Sequence, residues 1–112
     1  MGLLYQSTRN ENDTATASEA ILKGLSEDGG LYVPEYIPKL DTAMETLKEM
    51  TYQETAVAVM RQFFTDFTDA ELKSCITKAY DSKFDTNEIA PLVKADGAYY
   101  LELFHGATIA FK

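Results

Sequence analysis

Four side chains with chemical potential lie close together in His105-Gly106-Ala107-Thr108-Ile109-Ala110-Phe111-Lys112. Lys112 follows an apolar stretch, and a lysine held among apolar groups gives up its proton more readily, because burial penalises the charged form. The neutral amine is the species that condenses with a carbonyl to a Schiff base. By position alone the same residue also reads as a solvated terminal lysine. Thr108 carries a hydroxyl that either faces a bound ligand or closes the turn after Gly106. Phe111 suits a place beside a ligand or in a core. His105 is the single histidine. It is either a general base or the source of a turn-stabilising hydrogen bond, and no metal site is expected because one His lacks the further ligands a site needs. Cys75 is also alone, so no internal disulfide can form. With Leu72, Ile76 and Ala79 nearby it is expected to be a small buried apolar residue rather than a nucleophile.

The elements that must position these groups follow from patterning. Leu92-Val93-Lys94 and Tyr99 to Phe104 flank Ala95-Asp96-Gly97-Ala98, and Asp-Gly supplies the positive φ angles of a type I′ hairpin turn. The second strand would run straight into His105-Gly106. Upstream, Thr51-Tyr52-Gln53-Glu54 and Thr68-Asp69-Ala70-Glu71 are capping boxes. The first opens a helix with Tyr52, Ala56, Val59, Met60, Phe63 and Phe64 at helical spacing. The second opens one with Leu72, Ile76, Ala79, Tyr80 and Phe84 on one stripe. Joined by Thr65-Asp66-Phe67, the two are expected to form an antiparallel helix hairpin. Thr42 to Met50 is a weaker helix, and Thr16 to Leu25 another, with Ala17, Ala20, Ile21 and Leu25 inward. Leu3 to Thr8 reads as a short strand, Asp28-Gly29-Gly30 as a turn, and Leu31-Tyr32-Val33-Pro34 as extended because Pro34 and Pro38 forbid helix. The expected fold class is α+β, a helical cluster beside a small, mostly antiparallel sheet.

The 112 residues are one domain's worth of chain. Ten basic against eighteen acidic residues give a net charge of −8. No Lys/Arg cluster appears, which argues against nucleic acid and against an anionic membrane surface. No apolar run approaches the ~20 residues of a membrane span. Met1-Gly2-Leu3-Leu4-Tyr5-Gln6 has neither a basic n-region nor an apolar h-region, so no signal peptide is expected and a cytoplasmic location is.

Three blocks together resemble the threonine synthase family. Glu102-Leu103-Phe104-His105-Gly106-Ala107-Thr108-Ile109-Ala110-Phe111-Lys112 is similar to that family's lysine segment, Glu-Leu-Phe-His-Gly-Pro-Thr-Leu-Ala-Phe-Lys-Asp, departing at Ala107 and Ile109. Ala20 to Pro34, with Leu25, Gly29-Gly30-Leu31, Tyr32, Val33 and Pro34, resembles the N-terminal signature, as does Tyr5-Ser7-Thr8-Arg9. The resemblance implies the N-terminal part of a fold-type II, tryptophan-synthase-β-like enzyme, with residues 1–104 an N-terminal domain and 105–112 the start of the catalytic domain. It implies that Lys112 binds pyridoxal phosphate with Phe111 beside the cofactor, and that Thr108 and His105 are candidates to contact substrate. The implied reaction takes O-phospho-L-homoserine and water to L-threonine and phosphate. The family's phosphate cradle lies downstream of the lysine, so this chain by itself is expected to be inactive and to hold the cofactor poorly. Ala107 in place of proline frees one φ and restores an N–H. Two other readings remain: a free-standing acidic helical module that binds a protein partner, and a pyridoxal-phosphate enzyme of another elimination or replacement reaction.

Overall fold

The computed structural model describes residues 2–108. Its elements run β1 (Tyr5–Ser7), β2 (Thr14–Ala15), α1 (Ala17–Lys23), β3 (Tyr32–Pro34), α2 (Met44–Leu47), α3 (Tyr52–Phe63), α4 (Asp69–Ala79), β4 (Leu92–Ala95) and β5 (Ala98–Leu101). The architecture is α+β, as the patterning led one to expect. Both sheets are antiparallel: a three-stranded sheet of order β2-β1-β3 and the two-stranded β4-β5 hairpin.

β1 is central, pairing Gln6 with Thr14 on one side and Val33 on the other. Strand alternation puts Tyr5 and Ser7 on the buried face and leaves Gln6 half-buried on the other. Leu3, Tyr5 and Ala17 form a small core, with Ala20, Tyr32, Phe63 and Phe64 packed against it. The start of the chain is also pinned to the end of α3. The Leu3 N–H donates to Thr65 Oγ1 at 2.8 Å, and the Tyr5 hydroxyl donates to the Phe63 carbonyl at 2.9 Å. The second bond satisfies an acceptor that the end of a helix leaves without an intrahelical partner.

All three longer helices open on capping boxes, at Thr16/Glu19, Thr51/Glu54 and Thr68/Glu71. The last two were expected from sequence, and the first has the same Thr-x-x-Glu spacing. α3 and α4 pack together, but their burial corrects the expected stripes. Ala58 is the buried residue of α3, while Val59 is 38% exposed. On α4, Leu72 and Ile76 are buried, whereas Cys75 and Ala79 are exposed. Cys75 adjoins Ile76 around the helix, so the turn that buries Ile76 carries Cys75 off the contact line. Phe84 lies beyond α4, which is capped at Tyr80 (φ −115°, ψ 74°). α1 ends at Gly24 (φ 74°), and only its Ala17 and Ala20 reach the core, leaving Ile21 and Leu25 each 58% exposed. α2 keeps four residues of the nine expected, and its N-cap, Ala43, has no side-chain oxygen to cap with.

The Asp28-Gly29-Gly30 turn is a polar joint. Asp28 Oδ1 accepts from Ser7 Oγ (2.8 Å), Ser26 Oγ (2.9 Å) and the Gly30 N–H (2.8 Å). The Gly30 amide and then the Ser7 hydroxyl hold the Asp28 carboxyl below its usual range. The two glycines serve different needs. Gly29 takes φ 79°, while a Cβ on Gly30 would overlap Ser7 Oγ.

The hairpin turn is Asp96 (φ 49°) and Gly97 (φ 77°), the two positive angles of a type I′ turn. Ala95 pairs with Ala98, so each strand is displaced slightly from its expected limits, and β5 stops at Leu101. All eight strand residues are exposed, and the molecule is elongated, 47 × 28 × 28 Å. No helix among the described residues is long and apolar enough to cross a membrane.

Candidate functional site

Downstream of α4 the chain turns sharply. The Phe84 N–H donates to the Asp81 carbonyl (3.1 Å) and the Lys83 N–H to Asp81 Oδ1 (2.9 Å). This turn presents Phe84 and Asp85 to the segment that leaves the hairpin. After β5, the Glu102 N–H donates to the Pro91 carbonyl at 3.0 Å, extending the hairpin's grip by one residue. Glu102 and His105 are thereby brought within reach of Asp85.

His105 is held from both sides. Its Nε2 lies 2.7 Å from Glu102 Oε2, and its Nδ1 is hydrogen-bonded to Asp85 Oδ1. The Asp85 N–H also donates to the His105 carbonyl at 3.2 Å, so these two residues are tied through backbone and side chain. The ring is 15% exposed, against 26% for Glu102 and 74% for Asp85. Ionised carboxylates only accept hydrogen bonds, so two of them on one imidazole require both ring nitrogens to donate. The bond to Glu102 raises the His105 pKa above its ordinary 6.5; partial burial opposes this, and Asp85 reinforces it. Of the two roles left open for this residue, the geometry displays the hydrogen-bonded one.

Beside this clasp lies a cleft of about 310 Å³ whose lining includes Tyr52, Tyr80, Phe84, Ile89, Gly106 and Thr108. Tyr52 and Tyr80 meet edge-on, with ring centroids 4.9 Å apart. Burial, and then Tyr80, push the Tyr52 hydroxyl pKa up. A Cβ on Gly106 would stand 3.2 Å from the Phe84 ring, so this glycine is explained by a close approach. Ile89, a β-branched residue, is held at φ 63°, a conformation costing roughly 1–3 kcal/mol. The residue is 4% exposed, and its burial offsets the strain.

The expected site residues therefore separate. Thr108 is exposed and lines the cleft. His105 adjoins the cleft and is occupied by its two carboxylates. Phe111 and Lys112 lie outside the described residues. Asp85 was not anticipated, and nothing local marks it, because it stands twenty residues from its partner. Glu102 was expected only as a strand residue. Its three-residue offset from His105 was the one available sign.

A phosphate group is commonly cradled by free amides at a helix N-terminus. Here α1, α3 and α4 each close that end with their own threonine and glutamate, and α2 is a single turn. No helix longer than one turn among residues 2–108 therefore presents an uncapped set of amides to a phosphate group. Nor, among the described residues, do three or more His, Cys, Asp or Glu side chains gather as a metal centre.

A three-stranded sheet closed by capped helices, followed by a clasped segment beside an exposed hairpin, defines a small α+β domain. Residues 4–80 match the family model described as threonine synthase N terminus. The chain is 39% identical to threonine synthase of Saccharomyces cerevisiae over 119 residues, which is 97% of this chain and 23% of that protein. It resembles a solved structure of pyridoxal-phosphate-bound threonine synthase from Brucella melitensis with TM-score 0.83 and 35% identity, covering 98% of this chain and 24% of that one. Threonine synthase from Escherichia coli shares the fold at TM-score 0.70 and 18% identity, over 92% of this chain and 23% of that one. The chain belongs to the threonine synthase N-terminal family, and it spans about a quarter of the length of the relatives it matches.

Proposed function

We propose that this chain is the N-terminal part of a pyridoxal-phosphate-dependent lyase that converts O-phospho-L-homoserine and water to L-threonine and phosphate. The observation that carries the reading is the ordered similarity along the chain to threonine synthases, one of which is described as binding pyridoxal phosphate. In this reading Lys112 holds the cofactor, Phe111 packs beside it and Thr108 faces substrate from the mouth of the cleft. Bound there, the cofactor would supply an electron sink for carbanions next to the amino group. Residues 1–104 form the supporting domain, and 105–112 open the catalytic one. The phosphate cradle comes from the remainder of the same polypeptide, and the small-molecule substrate meets the enzyme in the cytoplasm. The N-terminal domain alone is inactive.

The test is phosphate release and threonine formation from O-phospho-L-homoserine by the complete gene product. Turnover that falls to background in Lys112→Ala is the expected result. A complete product that binds pyridoxal phosphate yet forms no threonine would refute this reaction while leaving the family assignment intact.

A further inference from the structure

We propose that Asp85, His105 and Glu102 form a positioning clasp, in which one imidazole donating to two carboxylates fixes the segment His105–Thr108 against the Asp81–Asp85 turn and the base of the hairpin. His105 has carboxylates on both ring nitrogens, one from the turn after α4 and one from the residue following β5. A reciprocal backbone bond runs from Asp85 N–H to the His105 carbonyl. The adjacent Gly106 is packed under the Phe84 ring, so the same turn grips two consecutive residues. Asp85 and Glu102 are the two charged groups acting on the ring.

The clasp has a defined proton requirement. With the proton present, both bonds are made and the cluster carries one net negative charge. Without it, imidazole keeps a single N–H and faces one carboxylate with a lone pair, so one bond is lost. The clasp is therefore closed on the acid side of the His105 midpoint and half-open above it. His105 in this arrangement is a positioning residue, since both its nitrogens are bonded to carboxylates and it is not among the residues lining the cleft. Where the segment leads to a cofactor-bearing lysine, its placement rests on the proposed parent activity. The clasp itself does not.

Because His105 is the single histidine, the test needs no assignment strategy. Nitrogen-15 spectra of the histidine-labelled 112-residue chain should show both ring nitrogens protonated at neutral pH, with a titration midpoint above 6.5. Glu102→Gln and Asp85→Asn should each lower that midpoint, Glu102→Gln by more. Protection of the Asp85 amide, measured relative to its intrinsic exchange rate at each pH, should fall as pH rises through the midpoint in the unsubstituted chain. A singly protonated ring at neutral pH, a midpoint at or below 6.5, or a midpoint that neither substitution moves would overturn the clasp. If a substitution unfolds the chain, the unsubstituted titration still decides. None of these outcomes depends on the reaction the parent catalyses, so a failed threonine assay and a failed clasp are separate results.

Discussion

Replacing Tyr5 by phenylalanine removes one atom that joins the N-terminal sheet to the helix pair. The ring stays in the core with Leu3 and Ala17, so no cavity larger than a hydroxyl results. The bond lost is the 2.9 Å donation to the Phe63 carbonyl. A neutral hydrogen bond contributes a net ~1 kcal/mol, and an acceptor left without a partner adds its own desolvation cost. Phe63 is half-buried, so its carbonyl regains some water, and the total comes to about 1–2 kcal/mol. In a domain of this size that corresponds to a fall in Tm of about 5–10 °C. Urea unfolding followed by circular dichroism should show a lower midpoint with an unchanged slope. The difference should also depend on pH in a defined direction. Burial, and then Asp66, raise the Tyr5 pKa above its usual 10. The hydroxyl's contribution is therefore complete below the unfolded value and lost as pH rises through the folded one. Above about pH 10 the gap between the unsubstituted chain and the Tyr5→Phe variant should narrow. A neutral-pH difference under ~0.3 kcal/mol would refute the view that this bond closes the end of α3.

Two further outcomes test the turn beneath the sheet and the charge balance. Gly30→Ala should destabilise the chain by about 1–3 kcal/mol in the same unfolding assay, because the new methyl overlaps Ser7 Oγ. Adding Ser7→Ala should recover part of that loss, and no recovery would mean that the overlap is not the cause. Stability should also fall on the acid side. The Gly30 amide and Ser7 hydroxyl depress the Asp28 pKa, and the Thr68 amide depresses that of Glu71. Both contributions are present above the unfolded carboxylate values and vanish as pH drops through the folded ones, below about pH 4. Asp28→Asn should flatten that limb of a Tm-against-pH curve, and an unaltered limb would exclude Asp28 as a contributor.

Local chemistry made part of this fold legible. Thr51/Glu54 and Thr68/Glu71 announced two helix starts because a capping box is a contact between near neighbours, and Thr16/Glu19 carried the same signal unread. Asp96-Gly97 fixed the hairpin turn for the same reason. Burial was less legible, since a stripe of apolar residues does not say which of its members meets the partner. Ala58 is covered and Val59 is not; Ile76 is covered and Cys75 is not. The two-residue β2 is too short to leave a period. His105 was visible as a candidate, but its partnership with Asp85 spans twenty residues and exists only once the turn after α4 has folded.

In the proposed function, Lys112 carries the cofactor when the rest of the polypeptide is present. Borohydride reduction of the complete enzyme loaded with pyridoxal phosphate, followed by peptide mapping, tests it most directly. One stoichiometric label, on the peptide containing Lys112, is the expected result. A stoichiometric label on any other lysine, with Lys112 unmodified, would contradict it.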